Sequence, residues 1–306
     1  MENIFRSFPH HGKIFSTVWK TGLAGLIAVL PAGPARAEGA AIARLAAWCE
    51  FMPYAEVQAE LPVLAKYDCD LILHVERESF GDPDFARLLR AAEAAGVGVD
   101  AWLLLPYQEH LYVGQASVAA VRGLARTAAD YFEREHLAVR AFVFDCEPSP
   151  LLGAELFAAV RKKSLPLLAR TLRAQLDPEA FRRDTAALNA LIAELRARGH
   201  AVDGAANRAF LDAQWRGNLA LEDALNAPVS GVAWDALSFI TYRYKVSQES
   251  YVAMLNRYAT LARKLYGPRA AMDVGLVGNY DGIPQNAERA ALFGGGTAFY
   301  AYLRGM

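Results

Sequence analysis

The segment Ala141-Phe142-Val143-Phe144-Asp145-Cys146-Glu147-Pro148 runs from an apolar stretch into two carboxylates one residue apart. Side chains alternate along an extended chain, so Asp145 and Glu147 point to one face, with Ala141 and Val143 beneath them, and Cys146 points to the other. Two carboxylates held this close at the edge of an apolar core do not both ionise freely. One is expected to keep its proton near neutral pH and to serve as a general acid. Such a pair suits cleavage of a glycosidic bond. The ordinary alternative is a strand end whose acids cap a helix or pair with arginine; the unbroken apolar run before the pair and the proline after it favour a site.

Other polar residues sit at the ends of apolar runs. Trp48 and Glu50 share a face in Trp48-Cys49-Glu50, and His74 and Glu76 share one in His74-Val75-Glu76. Tyr107 and Gln108 follow Leu103-Leu104-Leu105-Pro106. These six are candidate substrate contacts, each weighed against a satisfied structural role. Tyr242, in Phe239-Ile240-Thr241-Tyr242-Arg243, offers a phenol that can donate to a developing charge, or a core tyrosine bonded to backbone. Tyr300 lies in the aromatic run Phe299-Tyr300-Ala301-Tyr302, where a ring face can stack on a sugar or pack in a core. Only four histidines follow residue 37, with no His-x-His or His-Glu-x-x-His, and the three cysteines have no zinc-ligand spacing. Neither a metal nor a cofactor is expected.

The elements that must position these residues alternate. Strands are expected at Ala46–Phe51, Leu71–Glu76, Val97–Pro106, Val139–Glu147, Ala201–Ala206, Leu237–Tyr242, Met272–Val277 and Thr297–Tyr302. Helices are expected at Tyr54–Tyr67, Pro83–Ala95, Ser117–His136 and Gln248–Tyr266, with two or three more in Gly153–Arg198, broken at Pro166 and Asp177-Pro178. Continuous apolar strands separated by helices imply a parallel sheet covered by helices. Eight of them, with no glycine-rich dinucleotide loop after the first, favour an α/β fold of the (β/α)8 TIM-barrel type over a doubly wound sheet.

The chain has 306 residues, 54% of them hydrophobic and 21% charged, which excludes a disordered chain and a multi-span membrane protein. With 32 basic against 33 acidic residues, nothing supplies the basic surface that nucleic acid requires. Arg6, Lys13 and Lys20 precede a short apolar stretch, Gly22 to Pro31, followed by Ala35-Arg36-Ala37. That is the pattern of a cleavable signal peptide over residues 1–37, too short in its apolar part for a spanning helix of roughly 20 residues. The expectation is one barrel domain over residues 38–306, periplasmic or secreted, with no membrane span after cleavage. Cys146, on the face away from the acids, should be buried, which leaves Cys49–Cys69 as the expected partners of any disulfide.

Taken together, the strand-end motifs resemble glycoside hydrolase family 18, the chitinase-like barrels, including relatives of unassigned substrate. That family ends its fourth strand in Asp-x-Glu, matched by Asp145 and Glu147, and carries Met-x-Tyr-Asp on its sixth, partly matched by Ile240-Thr241-Tyr242-Arg243. Tyr300 stands where the family has a tryptophan under the sugar site. The resemblance implies a retaining, substrate-assisted hydrolysis of an N-acetylated polysaccharide. Glu147 would act as general acid, Asp145 would orient the 2-acetamido group, and Tyr242 would steady it. Arg140 and Val143 replace two further acids of the family motif, Arg243 replaces the aspartate after the tyrosine, and Tyr300 replaces the tryptophan. A non-catalytic carbohydrate-binding or envelope-assembly barrel is the first alternative. A family 25-like muramidase acting on peptidoglycan is the second, without that family's first-strand Gly-x-Asp.

Overall fold

The computed structural model describes residues 44–49, 52–106, 112–114, 117–241, 247–274 and 300–304. The signal-peptide pattern of residues 1–37 lies outside them. Seven strands hydrogen-bond in sequence order, all parallel: β1 (Arg44–Cys49), β2 (Cys69–Val75), β3 (Val99–Leu103), β4 (Ala141–Cys146), β5 (Ala201–Asn207), β6 (Ala236–Ile240) and β7 (Ala270–Val274). The result is an α/β fold with a curled parallel sheet. Every residue of β3, β4 and β6 is buried, as expected for strands covered on both sides.

Between the strands run α1 (Tyr54–Lys66), α2 (Pro83–Ala94), α3 (Val118–Arg134), α4 (Pro150–Arg161), α5 (Leu165–Gln175), α6 (Pro178–Ala197), the short α7 (Ala209–Trp215) and α8 (Ala220–Ala224), and α9 (Gln248–Tyr266). Their starts follow from local chemistry. Asp82, Ser164 and Asp177 accept from the backbone N–H of Asp84, Leu167 and Ala180 at 2.8, 3.3 and 3.0 Å, each one or two residues before a proline in the first turn. Pro166 and Pro178 therefore open helices, and the 153–198 region divides into three.

The eighth strand departs from expectation. β8 (Tyr300–Arg304) lies antiparallel to β7 and to β1, where a (β/α)8 barrel has a parallel strand; residues 297–299 of the expected strand lie outside the described residues. A parallel strand would require a crossover back to the start of the sheet, whereas an antiparallel one begins at the end where β7 stops.

Alternate side chains divide into two layers. Phe142, Phe144 and Cys146 of β4 join the large cluster that packs against the helices. Ala46, Trp48, Ile72, Trp102, Leu104, Val143, Ala205 and Ala271 form a second cluster on the inner side of the curl. Phe142 and Phe144 have no exposure, and truncating either to alanine would cost about 3–5 kcal/mol. At the N-terminal end of the strands the inner side holds ion pairs: Arg44 with Asp70 at 2.8 Å and with Asp100, and Arg140 with the same two acids at 2.7 and 3.3 Å. A Cβ at Gly98 would lie 2.3 Å from the Arg140 guanidinium carbon, so a larger residue there would displace that side chain from its ion pairs.

All three cysteines are buried thiols outside any disulfide. The Cys49–Cys69 disulfide is excluded by register: Cys69 stands opposite Leu45 and Cys49 opposite Leu73. The two are thus four residues apart along the ladder, roughly 13 Å, well beyond the roughly 7 Å limit of a disulfide.

Candidate functional site

β4 delivers the two carboxylates. Val143 lies in the inner cluster, so Asp145 takes the inner side of the same strand, and Glu147 follows one residue after the strand ends. Asp145 is 8% exposed and Glu147 4%. The backbone N–H of Val113 donates to Asp145 O at 3.0 Å, which fastens the segment after β3 to the end of β4. Gly114 lets this segment approach Asn226 closely, since a Cβ would stand 2.4 Å from the Asn226 carbonyl oxygen. Tyr112 of the same segment packs against the inner cluster.

On the opposite side of β4, Cys146 has no exposure; burial and the nearby carboxylates of Asp145, Glu222 and Glu147 push its thiol well above the ordinary range. It is a neutral core residue, as its phase predicted. Glu222, 1% exposed, accepts from Gln214 Nε2 at 2.9 Å and from the backbone N–H of Val229 and Ser230 at 2.9 and 2.8 Å. Those bonds give it a structural role behind the strands.

Aromatic groups line the inner side. Trp48 and Trp102 pack edge to face with centroids 4.9 Å apart, and His74 lies 5.8 Å from Trp102. The Trp48 N–H donates to Asp273 Oδ1 at 3.1 Å, and Ser238 Oγ donates to Asp273 Oδ2 at 2.7 Å. His74 Nε2 is 4.0 Å from Glu76 Oε2. Both line a cleft of about 310 Å³ at the ends of β1 and β2, together with Cys49, Tyr54 and Asp82. Tyr54 donates to or accepts from Ser79 Oγ at 2.6 Å, and burial pushes its phenol up to about 12, so it stays neutral.

The structure therefore brings Trp48, His74 and Asp145 to the inner side near the strand ends, with Glu76 and Glu147 beside the ends of β2 and β4. Tyr300 is placed by register opposite Trp48, at the start of β8. Glu50, Tyr107, Gln108, Tyr242 and Arg243 lie outside the described residues. Trp102 and Asp273 belong to the inner side without having been singled out. Asp273, an acid between Met272 and Val274, was legible as an oddity in an apolar run; Trp102 was not, because both phases of Val97–Pro106 are largely apolar. Among the described residues no group of three or more His, Cys, Asp or Glu could hold a metal ion, and no helix is long and apolar enough to cross a membrane. No protein-family model matches the chain, and no curated protein matches it.

Proposed function

We propose that this chain is a secreted or periplasmic glycoside hydrolase-like protein acting on an extracellular or cell-wall polysaccharide with N-acetylated sugars, on a TIM-type barrel that Tyr300–Arg304 closes. The observation that carries the reading is the placement of Asp145 on the inner side of β4, with Glu147 just beyond it, Trp102 on the adjoining β3, and Trp48 of β1 in edge-to-face contact with Trp102. In this reading Glu147 protonates the glycosidic oxygen. Asp145 orients the substrate's 2-acetamido group, whose oxygen attacks the anomeric carbon as the bond to the leaving sugar breaks; Tyr242 steadies that group. Water then opens the cyclic intermediate, so two displacements leave the anomeric configuration unchanged. Export rests on the leader pattern of residues 1–37.

The near-complete burial of Glu147 favours a second reading, a carbohydrate-binding or envelope-assembly barrel without turnover. Incubation with N-acetylated and non-acetylated oligosaccharides, with early-time anomer analysis by NMR, separates the two. Turnover of acetylated substrates with retention supports hydrolysis. Binding without turnover supports the second reading, and turnover with inversion of glycans lacking an acetamido group rules out the substrate-assisted route.

A further inference from the structure

Trp102 is 5% exposed, and among the described residues its indole N–H has no hydrogen-bond partner. Its neighbour Trp48 is equally enclosed but donates to Asp273 at 3.1 Å. Two tryptophans in edge-to-face contact thus differ in one respect: one donor has a protein acceptor and the other does not. A buried donor without an acceptor forfeits its solvation, so such a group calls for a role. A trapped water is a poor answer, because Ile72, Leu104 and Val143 share the cluster and a water needs two to four polar partners.

The position supplies a role. Trp102 pairs with Val143 in the β3–β4 register, so its Cα lies roughly 8 Å from that of Asp145, one side-chain step inward on the adjoining strand. Its ring also touches His74, which lines the cleft at the ends of β1 and β2. We propose that the Trp102 indole N–H is a substrate-positioning donor, bonding a hydroxyl or acetamido oxygen of a sugar seated beside Asp145. An indole donates and never accepts, so the ligand atom must be an acceptor with a free lone pair, which the hydroxyl and acetamido oxygens of a sugar supply. The inference rests on the hydrolase reading for the identity of the sugar, but not for the existence of the unfilled donor.

The test compares Trp102→Phe with Trp48→Phe and follows the indole N–H signals of the native protein by NMR, each assigned by its disappearance in the matching variant. Both variants remove the same atoms, so their packing losses are comparable. Trp48→Phe also strips a bond from Asp273 and should unfold at the lower denaturant concentration. The Trp102 signal should move downfield with acetamide, a neutral oxygen acceptor, and with the trisaccharide of N-acetylglucosamine; Trp102→Phe should bind that trisaccharide about three- to tenfold more weakly. Equal destabilisation by the two variants would mean that an acceptor within the protein serves Trp102, and would overturn the proposal. So would a Trp102 signal unmoved by acetamide, or a trisaccharide bound and cleaved without disturbing it. A signal that responds to acetamide in a protein that binds no trisaccharide would uphold the donor and remove the N-acetylated glycan.

Discussion

The indole N–H of Trp48 donates to Asp273 Oδ1 at 3.1 Å, linking β1 to β7 through the interior, and Ser238 Oγ completes the arrangement from β6 at 2.7 Å. Asp273 has no exposure, so this carboxylate depends on protein donors. Asp273→Ala should lower the unfolding free energy by about 2–4 kcal/mol, because it strands the buried Trp48 donor and empties the space the carboxylate fills, while Ser238 Oγ keeps an acceptor in Gly204 O at 3.3 Å. Asp273→Asn should cost about 1 kcal/mol, since an amide oxygen still accepts from Trp48 and Ser238 Oγ can accept in turn. Urea denaturation followed by circular dichroism measures both. A loss under about 0.5 kcal/mol for Asp273→Ala would show that the tie contributes nothing.

The ion pairs at the other end of the strands make a graded prediction. Burial works against the charge of Arg44, and the Asp100 and Asp70 carboxylates more than offset it, so its pKa is raised. Asp100 is 1% exposed, whereas Arg140 is 45% exposed. Asp100→Ala should cost about 3 kcal/mol, because it leaves Arg44 buried with one carboxylate fewer, and Arg140→Ala less than about 1 kcal/mol. Equal costs in denaturant titration would contradict this grading.

His200 sets an acid-side prediction. Burial lowers its pKa below 6.5, outweighing the hydrogen bond between its Nδ1 and Val139 O at 3.2 Å, which acts the other way. The unfolded chain therefore binds a proton more readily than the folded one. The neutral ring's contribution to stability is full above pH 6.5 and lost as the pH falls toward the lowered folded value. Between pH 7.5 and 5, the wild type should lose more stability than His200→Gln. Parallel losses would mean that this ring does not titrate differently on folding.

Much of the architecture was legible because it follows from periodicity and punctuation. The Gln248–Tyr266 helix agrees at both ends, and the breaks at Pro166 and Pro178 became helix starts, since proline suits a first turn. The inner facing of Asp145 followed from alternation once β4 was a strand. The direction of β8 was not legible, because an apolar aromatic run reads the same in either sense. The Cys49–Cys69 expectation failed for a related reason: facing can be inferred from sequence, but the register that sets Cys69 against Leu45 is decided by pairing between strands. The Arg44, Asp70, Asp100 and Arg140 group comes from four separate segments, and no spacing along the chain announces it.

The most direct measurement of the central claim is the kinetics of Glu147→Gln on an N-acetylated oligosaccharide cleaved by the native protein. A general acid acts in the transition state, and glutamine keeps the size and hydrogen-bonding shape of the side chain. The account predicts a kcat lower by about a hundredfold or more, with KM changed less than about threefold. Turnover close to the native rate would contradict it and remove Glu147 from the reaction.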